Sequence, residues 1–283
     1  MTEKKANHLS PEIHKRIQNL RIMDDLFMSV LFQDDKASTE LVIRTIIGKD
    51  DLTITKVNAQ YLINNLGRSV CLDIFAKDTK STLYDIEIQR SPSGASPKRL
   101  RYHSSMLDFN YLDKGKDFSK LPEKYIIFIT ENDYFKKGKP LYSFANMSED
   151  DDLNLRLDDG QHYIYVNGAN DDDTPLGRLM QDFRENNPEK MYYQVLKERA
   201  KYYKNTTKGE QIMGNVMEEL RAEGRAEGRA EGEAKGRAEA IANTIKRSAK
   251  YLKKTLPKAE AIKQLMGLFD LSESEATQTY AAA

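Results

Sequence analysis

A four-residue repeat near the C-terminus limits where this chain can build a hydrophobic core. Arg221-Ala222-Glu223-Gly224 recurs with small variations to Glu239, within a low-complexity segment that runs from Glu210 to about Lys250. Nearly all aromatic and β-branched residues lie before this segment, so a large core can form only in the first part of the chain. We predict a folded domain over residues 1–205, a helical spacer over 206–250 and a small helical unit over 251–283.

The composition excludes several classes of protein. Charged residues make up 31% of the 283 residues, and no apolar run approaches the ~18 residues of a membrane span. The polar N-terminal stretch has no apolar signal-peptide core, so we expect a cytoplasmic protein. The single cysteine, Cys71, excludes a disulfide framework and a multi-cysteine zinc site. Because 44 basic residues balance 44 acidic ones, any nucleic-acid-binding surface must be local.

The spacing of apolar residues in the first region predicts an α/β fold, with a mixed β-sheet flanked by helices. Strands are predicted at 52–64, 69–77, 82–90, 125–129 and 163–166. Helices are predicted at 24–32, 38–47, 176–183 and 191–203, and another is expected to begin at Ser96-Pro97, a favourable N-cap and first position. The continuous apolar run at 125–129 is typical of a strand that is covered on both faces.

The predicted hairpin of residues 69–90 carries the side chains best suited to chemistry. If Lys77 pairs with Leu83, Asp73 lies directly opposite Glu87, with Cβ atoms roughly 4.5–5.5 Å apart. Two carboxylates that close repel each other unless a cation lies between them, and Mg²⁺ commonly takes one or two carboxylates. Such an ion can generate a hydroxide nucleophile and stabilise charge on a phosphate. The alternative is an ordinary solvated polar face of an antiparallel sheet.

Basic residues crowd the start of the helix that follows the hairpin. Lys98, Arg99 and Arg101 lie in its first turns, where cations cost about 0.3–1 kcal/mol each at low salt. An anion such as a DNA phosphate would offset this cost, whereas a screened, solvated face is the alternative. Tyr102 either contacts a phosphate or packs in the core. His103 is expected at the surface or partly buried and receives no role.

An ordered set of motifs resembles the PD-(D/E)XK nuclease family transposases, also called Rpn-type recombination-promoting nucleases. The central match is Asp73 followed by Glu87-Ile88-Gln89 on the next strand. The surrounding matches are Met23 to Met28, Arg68 to Val70, Tyr84 to Arg90, Lys98 to Tyr102, Phe128 to Asp133 and Asp173 to Gly177. The resemblance covers about residues 20 to 220. It implies a restriction-endonuclease-like fold, followed here by a helical C-terminal arm.

The resemblance also implies a function and a metal site. The implied activity is a Mg²⁺-dependent DNA endonuclease connected with recombination, with Mn²⁺ as an alternative ion. Asp73 and Glu87 would bind the ion together with the backbone carbonyl of Ile88. Asp24 matches the acidic residue of the N-terminal motif and would complete the site, with the neighbouring Asp25 as the alternative.

Two departures from the family pattern bear on catalysis. Gln89 occupies the position of the motif lysine, and an uncharged amide can orient water or phosphate but supplies no positive charge. Met28 stands where many relatives carry lysine. A catalytically weak or inactive relative that binds DNA, or that acts as an oligomeric interaction protein, is therefore the alternative function.

The C-terminal part is expected to be helical throughout. A four-residue period places Arg against Arg and Glu against Glu at i and i+4, and each glycine costs about 0.8–1.0 kcal/mol relative to alanine. An isolated helix is therefore expected to be marginal here, so the repeat is either stabilised by a partner strand, with Gly and Ala permitting close approach, or is a length-variable spacer. We favour a helical spacer, with an oligomerising arm as the role that association with a partner would give it. Further on, Pro257 is expected in the first turn of a helix, and Ser272 and Glu275 have the spacing of a capping box.

Overall fold

The computed structural model describes residues 9–65, 67–150 and 152–283. The strands are β1 (Ile54–Ile63), β2 (Val70–Asp78), β3 (Leu83–Gln89), β4 (Lys124–Thr130), β5 (Leu141–Phe144) and β6 (Gln161–Asn167). The α-helices are α1 (Pro11–Asn19), α2 (Asp25–Phe32), α3 (Lys36–Ile47), α4 (Pro97–Tyr111), α5 (Pro175–Arg184), α6 (Gln194–Asn205), α7 (Thr207–Thr255), α8 (Lys258–Phe269) and α9 (Glu273–Ala282). The chain divides after Met217 into two compact units.

The described strands of the first unit form one mixed six-stranded sheet in the order β1-β2-β3-β4-β6-β5. The pairs β1–β2, β2–β3 and β5–β6 are antiparallel, whereas β3, β4 and β6 run parallel to one another. Every residue of β4 is buried, which confirms the prediction of a strand covered on both faces. The predicted fold class, a restriction-endonuclease-like mixed sheet with flanking helices and a helical C-terminal region, is confirmed.

Two hydrophobic clusters cover the two faces of the sheet. Because side chains alternate along a strand, Ile74 and Ile86 point into the cluster that contains helices α2, α3, α5 and α6. Phe75 and Phe128 point into the opposite cluster, which contains Leu100 of α4. Helix α4 therefore lies on the face of the hairpin that also carries the acidic side chains.

Local capping signals fix where α4 begins. The Ser96 hydroxyl accepts a hydrogen bond from the Arg99 backbone N–H at 3.2 Å, and Pro97 occupies the first helical position. This confirms the predicted start of the helix and brings its basic first turns to the end of β3.

Two elements of the first unit were not predicted. Strand β5 is only four residues long, lies at the edge of the sheet and leaves half of its side chains exposed, so no clear alternation marks it. Helix α1 has Ser10 as its N-cap and Pro11 in its first turn, but its sequence is mostly polar and buries only Ile17 completely.

In the second unit, the end of α7 packs with α8 and α9 around Leu252, Leu265 and Ala276. Pro257 is the N-cap of α8 and lies just before its first turn, which corrects the predicted position by about one residue. The capping box of Ser272 and Glu275 is confirmed. Among the described residues, none of the helices combines the length and the apolar character that a bilayer crossing requires.

Candidate active site

The hairpin formed by β2 and β3 adopts the predicted register. Lys77 pairs with Leu83, and the paired positions continue to Ile74 opposite Ile86. Beyond the pair Ile74–Ile86, the side chains of Asp73 and Glu87 contact the backbone of the opposite strand. The Glu87 Oε1 atom accepts a hydrogen bond from the Asp73 N–H at 2.9 Å, and Asp73 Oδ2 accepts one from the Ile88 N–H at 2.9 Å. The two carboxylates therefore lie side by side at the end of the hairpin.

The carboxylates differ in their access to solvent. Asp85 and Glu87 are completely buried beneath α4, so a solvated polar face is the wrong interpretation for this part of the hairpin. Asp73 is only partly buried and reaches an open cavity of about 370 Å³. The cavity is lined by Asp25, Asp73, Ile88, Gln89, Arg90, Ser91 and Arg99.

Burial and mutual repulsion raise the pKa values of these carboxylates. Burial raises the pKa of Asp73 to about 6, and the negative charge of Asp25 adds to the shift. Burial raises the pKa of Asp85 to about 8. Burial, followed by the charges of Asp85 and Asp73, raises the pKa of Glu87 well above its ordinary value. Burial therefore favours the protonated, neutral forms of these carboxylates unless a cation stabilises their charge.

Arg99 is the cation that reaches into this group. Its Nη2 atom lies 3.0 Å from Glu87 Oε2, and its Nη1 atom donates to Gln89 Oε1 at 3.2 Å and to the Gly94 carbonyl at 3.3 Å. Its Nε atom donates to His103 Nε2 at 3.2 Å. The side chain keeps 38% of its surface exposed. Arg99 was predicted to contact DNA from the helix surface, but the structure directs it into the carboxylate cluster.

His103 is buried, in contrast to the surface or partly buried position expected from the sequence. Its Nδ1 atom lies 3.0 Å from Asp85 Oδ2 and 3.6 Å from Glu87 Oε1. Burial lowers the pKa of His103, and because Nε2 accepts from Arg99, the hydrogen-bond partners assign the proton to Nδ1. The spacing of Arg99 and His103 at i and i+4 on one helix face was the sequence signal for this contact.

Gln89 lies beside Glu87, to which its Nε2 donates at 3.3 Å. The position of the Gln89 carboxamide requires a glycine at position 94, because a Cβ atom on Gly94 would lie 2.1 Å from Gln89 Oε1. A side chain at position 94 would therefore push the Gln89 amide out of its present place.

The two neighbouring aspartates at the start of α2 point to different partners. Asp24 accepts a hydrogen bond from the Arg21 N–H at 2.7 Å and pairs with Arg90 at 2.8 Å. Asp25 lines the cavity together with Asp73. Of the two alternatives left by the sequence, Asp25 is the one that the structure brings to the cavity.

These features agree with a comparison of the sequence with known families. Residues 46–172 match the model of the PD-(D/E)XK nuclease family transposases. The match confirms the resemblance derived from the sequence, and it includes Asp73, Glu87, Gln89 and all of α4. The family supports a nuclease-like function. No curated protein and no solved structure gave a significant match.

The other residues that the sequence predicted to contact DNA spread outward from α4. Lys98 and Arg101 line a cleft of about 640 Å³ together with aromatic side chains such as Phe144. Tyr102 packs partly buried against the cluster on the α4 face, and its hydroxyl donates to the Arg68 carbonyl. The main role of Tyr102 in the structure is therefore packing. Its side chain also lines a second cleft, together with Lys98.

Gln60 is a residue of this site that the sequence did not indicate. It lies on β1 between the pairs Ala59–Ile74 and Tyr61–Leu72, opposite Asp73. Its φ of 51° is in the left-handed region, which side chains other than glycine rarely adopt within a strand. Hydrogen bonding from its side chain also acts to lower the pKa of Asp73. Such strained positions cluster at functional sites.

The donor atoms present fit a hard divalent cation better than zinc. In the described part of the chain, Asp85, Glu87 and His103 form a group whose ligand atoms lie within 4.8 Å of one another. All three are buried, however, and both ring nitrogens of His103 already have partners. Asp73 and Asp25 offer carboxylate oxygens at the open cavity, where a cation would stabilise the charged form that burial, and next the charge of Asp25, disfavour at Asp73.

Proposed function

We propose that this protein is a Mg²⁺-dependent endonuclease that hydrolyses phosphodiester bonds in DNA. The observation that carries the proposal is the pair formed by Asp73 and Glu87, joined through the main chain at the end of the hairpin and next to an open cavity. The family match over residues 46–172 gives independent support for nuclease chemistry.

The metal would be held by oxygen atoms from both strands and from α2. Asp73 and Glu87 would bind it together with the Ile88 carbonyl, and we place Asp25 rather than Asp24 as the additional carboxylate because Asp25 lines the cavity. When bound, Mg²⁺, or Mn²⁺ in its place, supplies positive charge at the phosphate and lowers the pKa of a bound water.

The remaining residues bind and orient the substrate. The Gln89 amide lines the cavity and can donate to a phosphate oxygen or hold a water molecule. Lys98 and Arg101, in the first turns of α4, line a separate cleft on the same helix and attract the DNA backbone to this side of the protein. We also propose that the protein is located in the cytoplasm, because its proposed substrate is DNA.

The second candidate function is a DNA-binding or oligomeric protein with little or no catalysis. Two observations favour it: Glu87 is buried and ion-paired with Arg99, and Gln89 brings no charge. A third observation is the exposed repeat region of α7, where no neighbouring atom lies within 4 Å of a Cβ built on Gly224, Gly228, Gly232 or Gly236. A helix that is polar all round gains little stability from packing within its own chain, and association with a second copy would supply packing.

Cleavage of a supercoiled plasmid separates the two functions. We expect the wild-type protein to nick or linearise the plasmid with Mg²⁺ and to leave it intact with EDTA. Asp73→Ala and Glu87→Ala should abolish cleavage, whereas Asp113→Ala, which removes an exposed acidic residue, should not. Cleavage that survives both substitutions unchanged places the active site elsewhere. Binding of DNA without any cleavage supports the second function.

A further inference from the structure

The proposed active site has little positive charge of its own near the phosphate position. The third motif residue is Gln89, which is uncharged, although the pattern that names the family ends in lysine. Two cations line the cavity in the described residues, Arg90 and Arg99. Arg90 forms ion pairs with Asp24 at 2.8 Å and with Glu131 at 3.5 Å. Arg99 is thus the remaining cation that faces the reacting region.

The guanidinium of Arg99 lies beside the residue that stands in place of the motif lysine. It contacts the side chain of Gln89 directly, at 3.2 Å, and the catalytic carboxylate of Glu87 at 3.0 Å. The residue comes from α4 rather than from β3, so the cation reaches the same place from a different element. Because 38% of the side chain is exposed, the guanidinium also has access to a ligand in the cavity.

A buried chain of hydrogen bonds holds this guanidinium. His103 Nε2 accepts from Arg99 Nε, and His103 Nδ1 donates to Asp85 Oδ2 at 3.0 Å. The Gly94 carbonyl accepts from Arg99 Nη1, the nitrogen that also donates to Gln89 Oε1. The N–H donors of the Arg99 guanidinium are therefore held in place before substrate arrives. Charged groups stabilise a transition state most effectively when they are held in place in advance.

We propose that Arg99 supplies the positive charge of this active site in place of the motif lysine, and that His103 and Asp85 are positioning residues that fix its guanidinium. The assignment rests on the proposed nuclease function. The second N–H of the Arg99 Nη2 atom, beside the one that donates to Glu87, donates a hydrogen bond to a non-bridging oxygen of the scissile phosphate, and Arg99 neither gains nor loses a proton. The substrate class is a phosphodiester, whose charge increases at these oxygens during hydrolysis.

The test exchanges charge between positions 99 and 89. We expect Arg99→Ala to lower the cleavage rate about 10²–10³-fold, as removal of one transition-state donor does elsewhere. Arg99→Lys should keep part of the rate, and Gln89→Lys in the Arg99→Ala background should recover activity. Arg16→Ala, an exposed arginine on α1, is the matched control and should match the wild type. Equal rates for Arg99→Ala and wild type, or no recovery in the double variant, overturn the assignment.

A binding measurement separates failure of this assignment from failure of the proposed function. The rise in melting temperature that Mg²⁺ produces should persist in Arg99→Ala, because this variant keeps the carboxylates. If wild-type protein shows neither this rise nor cleavage, the nuclease function itself fails, and the role of Arg99 fails with it. If wild-type protein shows both and Arg99→Ala cleaves normally, only the role of Arg99 fails.

The positioning role has its own readout in the free protein. The Nε–H signal of Arg99 in a ¹⁵N correlation spectrum should be sharp in the wild type because exchange is slow when the donor is engaged. His103→Ala should broaden or remove the signal, and His103→Gln, which keeps an acceptor, should restore it in part. His103→Gln also covers the case in which His103→Ala does not fold. An unchanged signal in the folded variants overturns the positioning role.

Discussion

Asp73 and Glu87 are joined through the main chain: the Glu87 carboxylate accepts from the Asp73 N–H, and the Asp73 carboxylate accepts from the N–H of the residue after Glu87. Each side chain thus replaces a backbone contact at the end of the hairpin. This arrangement holds two acidic groups together despite their repulsion, because each receives a hydrogen bond from the opposite strand. It also fixes both carboxylates relative to each other before any ligand binds.

The raised pKa of Asp73 predicts a pH-dependent stability. Burial raises its pKa to about 6 from an ordinary 3.8, so between these values the folded state binds more protons than the unfolded state. The free energy of unfolding contributed by this group therefore falls as the pH rises through this window. Urea unfolding in EDTA should show the wild type losing stability relative to Asp73→Asn from about pH 4 to about pH 6. A stability difference between the two proteins that does not change with pH, or that changes in the opposite direction, contradicts the raised pKa. Asp113→Asn, which changes an exposed aspartate, serves as the control.

A small side chain at position 94 should damage the site without unfolding the protein. A Cβ on Gly94 would displace Gln89 Oε1, which is the mobile end of a side chain, so the fold can adapt. We expect Gly94→Ala to keep its melting temperature within a few degrees and to lose about 10–100-fold in cleavage rate, as a shift near 1 Å in an active site does.

The matched control for this substitution is Gly224→Ala, on the exposed face of α7, where nothing lies within 4 Å of the added Cβ. It should raise helix stability by up to about 1 kcal/mol and leave cleavage unchanged. If Gly94→Ala cleaves as fast as this control, the placement of Gln89 does not matter for catalysis.

The roles of the two aspartates of α2 can be separated by metal affinity. Asp25→Asn should weaken Mn²⁺ binding about 10–100-fold, a range typical of groups that support a metal site. Asp24→Asn should change metal affinity much less, because this carboxylate is occupied by Arg21 and Arg90. Isothermal titration of both variants decides the question, and the reverse order of effects would restore Asp24 as the metal-site residue.

The sequence predicted the hairpin register because alternation and the turn at residues 78–81 left few other pairings for Lys77 and Leu83. It did not predict that α4 folds back over the acidic face, and for this reason the burial of Glu87 and the role of His103 were missed. The choice between Asp24 and Asp25 was also out of reach. Neighbouring residues at a helix start point in directions that differ by about 100°, and only tertiary packing decides which one faces the cavity.

The helical arm makes a separate prediction about assembly. Leu220 and Ile241 are 50% and 58% exposed on α7, a helix whose repeat region has no buried side chain. If the arm associates with a second copy, light scattering of the full chain should give a mass above 32.5 kDa that falls in Leu220→Glu/Ile241→Glu. A monomer at all protein concentrations tested contradicts the oligomerising arm.

The most direct measurement is calorimetric titration of the wild-type protein, Asp73→Asn and Glu87→Gln with Mn²⁺ at pH 7.5. A divalent ion held between the two strands predicts a saturable site in the wild type that is lost in each variant, while both variants remain folded in EDTA. Equal binding by all three proteins, or no binding by the wild type, would contradict a metal centre built on this pair of carboxylates.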